Sequence, residues 1–303
     1  MGTEQGTLFD KRRYKGVLPN TNATQPPAAD QTVGATLPAY HAYLSSGGYS
    51  KYTPDDFTAD LKRFAQFTGA KLLQDIRTVD IQQYIGELKK TMPAKTVSRK
   101  VSAISNYFRW LTAEKVLEPN PAENIRAGKV SAPLPDILYD DECERLLVAA
   151  SSDPRPYLLI LLLLETGLKK AELLELQVAN FDFSNKYQPE LWVKHTGKQV
   201  FKDRKLKLPP QIKQVYDDYV KQYDVTATLF PYTPRFLEQL LNEARHNADI
   251  TKKVTPGILR DMFVIRSVKK GSTLAQAFEK IGLAKTSYDD ARKKYGRLTK
   301  EAL

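Results

Sequence analysis

A chain of 303 residues exceeds the usual single-domain size, and 42% apolar residues suffice for two cores. One cysteine, Cys143, excludes an internal disulfide framework, and three histidines, His41, His195 and His246, argue against a histidine-rich metal centre. A formal charge of +11 favours a polyanionic partner, because such a surface attracts phosphates and releases their counterions on contact, but it does not choose between DNA, RNA and an anionic membrane.

Residues 1–35 hold several breakers, around Asn20, Pro26 and Pro27, and no sustained periodicity, which predicts a mobile tail. Its Lys11-Arg12-Arg13-Tyr14-Lys15 cluster is either a phosphate contact or a solvated, partner-binding segment. The N-terminus has no apolar signal core, and the apolar run Tyr157 to Leu164 is too short to cross a bilayer, so a soluble, cytoplasmic protein without a membrane partner is expected.

Residues 36–128 carry a helical pattern throughout. Thr53-Pro54-Asp55-Asp56 supplies a cap, a proline for the first turn and acids at the positive helix end, ahead of Phe57, Leu61, Phe64 and Phe67. Ile81, Tyr84, Ile85 and Leu88 mark a second stripe, and Val97, Val101, Ile104, Tyr107, Phe108 and Leu111 a third. Asn120-Pro121 ends the run, and a bundle of four to five helices is predicted, with Arg99 and Lys100 opposite the apolar stripe and facing solvent.

Residues 129–136 form a proline-bearing linker, and 137–303 a second domain, mostly helical with a small β-sheet. Its predicted centre is a buried helix at Tyr157 to Leu164. Leu191-Trp192-Val193 and Lys205 to Leu208 are expected as strands, with Gly197-Lys198 at the turn between them. Tyr288 and Tyr295, seven residues apart, fall on one helical face.

Thr166-Gly167-Leu168-Lys169-Lys170-Ala171-Glu172-Leu173, then Gly197-Lys198, then Leu259-Arg260, resembles in order and spacing the catalytic domain of tyrosine recombinases (phage integrases). Lys95 to Ile104, with Tyr107-Phe108 and Asn120-Pro121-Ala122, resembles the family's core-binding domain. The resemblance implies a double-stranded DNA partner, a nucleoid-associated location, no metal or nucleotide cofactor, and assembly as a homo-oligomer on DNA through a swapped C-terminal helix. It makes Thr96, Arg99, Lys100, Lys202 and Arg204 DNA contacts.

The family's chemistry is attack of a tyrosine phenol on a phosphodiester, leaving a 3′-phosphotyrosine. It needs charge stabilisation on the phosphate oxygens, a proton donor for the leaving hydroxyl and the nucleophile. Carried over, Lys169 stands in the place of the first arginine, Glu172 is the acid three positions on, Lys198 the leaving-group lysine and Arg260 the second arginine, with Tyr295 or Tyr288 as candidate nucleophile or packing aromatic. Lysine keeps the charge but loses the planar fork. Gly257 and Leu283 stand where the family has histidines, and counting nine residues from Leu283 reaches Arg292 rather than a tyrosine. Losing one preorganised donor costs about a hundred- to a thousand-fold, so two imply roughly ten-thousand-fold. The leading expectation is a DNA-binding protein with impaired strand transfer. The alternatives are an active recombinase using Lys169, Lys198, Arg260 and Tyr295, and a protein-interaction scaffold.

Overall fold

The computed structural model describes residues 26–47, 53–126, 134–195 and 203–301. Backbone contacts divide the chain into two compact units, Met1–Ala132 and Pro133–Leu303.

The first unit is built from α1 (Val33–Ser46), α2 (Thr53–Thr68), α3 (Thr78–Thr91) and α4 (Ala94–Ala113). Helix α4 inserts Val97, Val101, Ile104, Tyr107, Phe108, Trp110 and Leu111 into a core shared with Tyr40, Leu61, Phe64 and Ile81. Residues 29–35, expected within the tail, are instead bonded into the first unit, and residues 1–25, with the Lys11–Lys15 cluster, lie outside the described residues. Thr32 caps α1 by accepting the Ala35 N–H, while Leu73 N–H donates to Gln31 O and Gln74 N–H to Ala29 O. Those backbone bonds are tertiary, so hydrophobic periodicity could not register them. Phe67, assigned to the apolar stripe of α2, is 42% exposed and only leans on the Tyr84 ring.

The second unit is organised around α6 (Pro154–Thr166), where every residue from Leu158 to Leu164 is buried. Asp153 caps it and Pro154 opens its first turn. Around it lie α5 (Asp140–Ala150), α8 (Ile212–Gln222), α9 (Pro234–Asn247) and α10 (Pro256–Lys269), which explains its uniform apolarity. Between α6 and α8 run α7 (Lys170–Leu174) and an antiparallel sheet of β1 (Phe181–Asp182), β2 (Glu190–Val193) and β3 (Arg204–Lys207) in that order. Strand β1 was not foreseen, since two residues carry no alternation to read. Helices α11 (Leu274–Lys280) and α12 (Tyr288–Glu301) pack on α10. Among the described residues, no helix is long and apolar enough to cross a membrane.

Candidate anion-binding site

The Thr166-Gly167-Leu168 sequence is a helix stop with a tight fit. Gly167 ends α6 in the left-handed region at φ 61°, and a Cβ there would sit 2.6 Å from the Phe263 ring and 2.7 Å from Ile281. Leu168 enters the core, and Lys169 immediately precedes α7. Glu172, one turn into α7, turns back so that its Oε2 accepts the Lys169 N–H at 2.8 Å.

That carboxylate, 5% exposed, is the hub of the site. Arg204 from β3 grips it with both nitrogens, Nη1 to Oε1 at 3.2 Å and Nη2 to Oε2 at 2.9 Å. Lys169 Nζ lies 3.9 Å from Oε1, and Arg260 Nη1 lies 4.0 Å from Oε2. His195, just beyond β2, brings Nε2 within 3.2 Å of Oε1, with Nδ1 3.4 Å from Asp203. Burial raises the Glu172 pKa, but the Arg204 hydrogen bonds and charge, helped by Lys169, outweigh it and hold the carboxyl at about 2. Three cationic side chains and one imidazole thus meet at a single carboxylate, with Asp203 the further acid beside His195.

Arg260 is positioned by α10, whose start is set by the Thr255 cap and Pro256. Its guanidinium donates to the Gly167 carbonyl and, at 2.8 Å, to the Ile281 carbonyl, so it also ties the end of α6 to the end of α11. Burial lowers its pKa, and the Glu172 charge opposes that shift. Gly282 is required beside Arg204: it has φ 63°, and a Cβ would lie 2.6 Å from Nη1.

Several sequence expectations change here. Arg204, assigned as a DNA contact, has a side chain only 8% exposed and donates Nε–H to the Lys280 carbonyl at 2.7 Å; it supports Glu172 from within. Lys100, expected to face solvent, is buried, with Nζ 2.6 Å from Asp60 Oδ1. The unforeseen partner is Asp60, which lies on α2, forty residues away in sequence. Arg99 remains 48% exposed while its Nη1 reaches Asp60 Oδ2 at 2.8 Å, and Thr96 is half-buried. Lys198 and Lys202 lie outside the described residues.

Tyr295 is buried and donates its hydroxyl to Asp261 Oδ1 at 2.7 Å; Lys294 Nζ reaches the same carboxylate at 2.7 Å. Burial, with the Asp261 charge and hydrogen bond, pushes the phenol pKa far up. Tyr288 and Tyr295 both pack on Phe278, at 5.2 and 5.6 Å between ring centroids. Arg292 is exposed beside Asp289, Leu283 packs on the core, and a Cβ at Gly257 would meet only Thr255 Oγ1 at 3.7 Å. His195 was the residue sequence reasoning missed as a site member. Its one available signal was position: it continues the inward alternation of Leu191 and Val193.

The phage integrase N-terminal SAM-like domain matches residues 37–115, and the phage integrase family model matches residues 136–285. The chain belongs to the phage integrase (tyrosine recombinase) family. Similar proteins include the tyrosine recombinase XerC of Anoxybacillus flavithermus, 25% identical over 90% of this chain and 96% of that protein. The tyrosine recombinase of Pseudothermotoga lettingae is 25% identical over 77% of this chain and 84% of that protein. Among solved structures, a lambda integrase dimer bound to a COC′ core site superposes with a TM-score of 0.69 at 21% identity, covering 88% of this chain and 79% of that one. XerH recombinase bound to a palindromic difH substrate gives a TM-score of 0.69 at 18% identity, covering 89% and 84%. These superpositions show a shared fold. Within that family fold, Lys169, Arg204, Arg260 and His195 converge on Glu172.

Proposed function

We propose that this phage integrase family member binds double-stranded DNA and seats a phosphodiester at the cluster of Lys169, Arg260 and His195 around Glu172, with strand transfer strongly impaired. The observation that carries this is the convergence of Lys169, Arg204, Arg260 and His195 on the one buried carboxylate of Glu172. Basic side chains that converge on one place favour an incoming phosphate. The superposed lambda integrase is bound to a COC′ core site and XerH to a palindromic difH substrate, which supports the same kind of ligand here. Impaired chemistry follows from the empty imidazole positions, and from a Tyr295 hydroxyl buried against Asp261 rather than presented to an anion. Lys198 is proposed as a further phosphate contact from the hairpin, and Arg99 and Thr96 as backbone contacts of the first unit.

One observation favours a second reading, an active recombinase. His195 places an imidazole at the cluster, where it could serve as the proton donor missing from positions 257 and 283. Incubation with nicked suicide duplexes, followed by denaturing electrophoresis, tests both. DNA retention that Arg260→Ala weakens at least tenfold, without a covalent adduct, is the expected result. An adduct lost in Tyr295→Phe would replace it with the active reading, and absence of binding at low salt would sink both.

A further inference from the structure

The outer face of the sheet presents a basic aromatic surface that the cluster around Glu172 does not use. Alternation turns Leu191 and Val193 of β2 inward and Glu190 and Trp192 outward; on β3 it turns Leu206 inward and Lys205 and Lys207 outward. The register sets Trp192 opposite Lys205 and Glu190 opposite Lys207. Trp192 is 44% exposed, which is uncommon for so large an apolar side chain. Lys194 Nζ lies 4.1 Å and Lys205 Nζ 5.2 Å from its ring centroid. A ring attracts ammonium groups without neutralising them, so Trp192 holds two like charges together. The acids of this face, Asp182 and Glu190, pair with each other in register at the far row, and Glu190 comes within 3.6 Å of Lys205. The opposite, cationic end adjoins the candidate site, because Lys194 directly precedes His195.

We propose that this face is a second DNA contact, in which Lys194 and Lys205 meet backbone phosphates of duplex DNA flanking the one held at the Glu172 cluster, and Trp192 lies against the same backbone. This rests on the DNA-binding reading above. Charge complementarity selects the partner, and continuity with the cluster through His195 selects the flank.

The chain has two tryptophans, and the other, Trp110, is fully buried in the first unit. Tryptophan emission therefore separates the two. The full chain would be titrated with duplex DNA at low salt, reading emission, iodide quenching and the salt dependence of binding. Protection of Trp192 from iodide on binding is expected, and Trp192→Phe should abolish that change. Lys194→Ala with Lys205→Ala should lower the slope of log K against log salt by up to about 1.8 and weaken binding roughly tenfold, with an unchanged melting curve. If wild type binds DNA but Trp192 stays equally accessible and the lysine variant keeps its affinity and slope, this face is not a contact, while the DNA-binding reading stands. If wild type binds no DNA, both fall together.

Discussion

Asp60 in the first unit and Glu172 in the second are both buried carboxylates that gather basic side chains, yet they leave different surfaces behind. Asp60 is matched by Lys100, which is as buried as the acid itself, so only Arg99 projects outward. Glu172 faces Lys169, Arg204, Arg260 and His195, so four basic side chains share one carboxylate. The first cluster is a fold pin carrying one exposed guanidinium. The second gathers basic side chains from α7, β3, α10 and the end of β2 at the place where we propose that a phosphate binds. The lesson is that a basic residue's role depends on the count of charges around its acid, which spacing along the chain does not reveal.

The largest effects should come from removing the hubs. Glu172→Ala leaves Arg204 buried without its carboxylate, and Asp60→Ala does the same to Lys100; each should lose about 3–5 kcal/mol in chemical denaturation. A loss below about 1 kcal/mol at either site would mean that the guanidinium or ammonium finds water, and the comparison would collapse.

Acid should act on the second hub next. The Glu172 pKa is about 2 in the folded protein against an ordinary 4.5, so ionised Glu172 stabilises the fold above about pH 5 and that contribution disappears as pH falls toward 2. It amounts to roughly 3 kcal/mol. Melting curves of wild type and Glu172→Gln between neutrality and pH 2 should converge at the acid end; parallel curves would show that the carboxyl is not held ionised.

A third carboxylate, Asp261, sharpens the contrast because it binds a phenol and Lys294 instead of gathering arginines. Tyr295→Phe should cost about 1.5–3 kcal/mol of stability, the range for a hydrogen bond to a charged group, and leave DNA affinity unchanged. Weakened DNA binding in that variant would move Tyr295 into the anion site. The smallest effect belongs to Arg99→Ala, which should lower the salt slope of DNA binding by about 0.9 and destabilise the bundle far less than Asp60→Ala, because Lys100 stays paired with Asp60. An unchanged slope would remove this helix from the interface.

Much of the architecture was legible because it follows from local rules. The apolar stripe of α4 and the all-apolar α6 announced two helical cores, and the cap-proline pairs at Asp153-Pro154 and Thr255-Pro256 are local start signals. The site was legible only as a row of residue types. Lys169, Glu172 and Arg260 could be named from motif spacing, whereas His195 and Arg204 come to Glu172 from β2 and β3, 23 and 32 residues away.

By itself, then, the sequence determined the two-part helical pattern, the glycine at position 167 that stops α6 and the positive balance of the chain. Tertiary structure alone decided which basic side chains are neutralised. Burial and long-range pairing set the charge state of a cluster, and these depend on residues far apart in the chain: Lys100 disappeared against Asp60, Arg204 turned inward onto Glu172, and Tyr295 was sealed against Asp261.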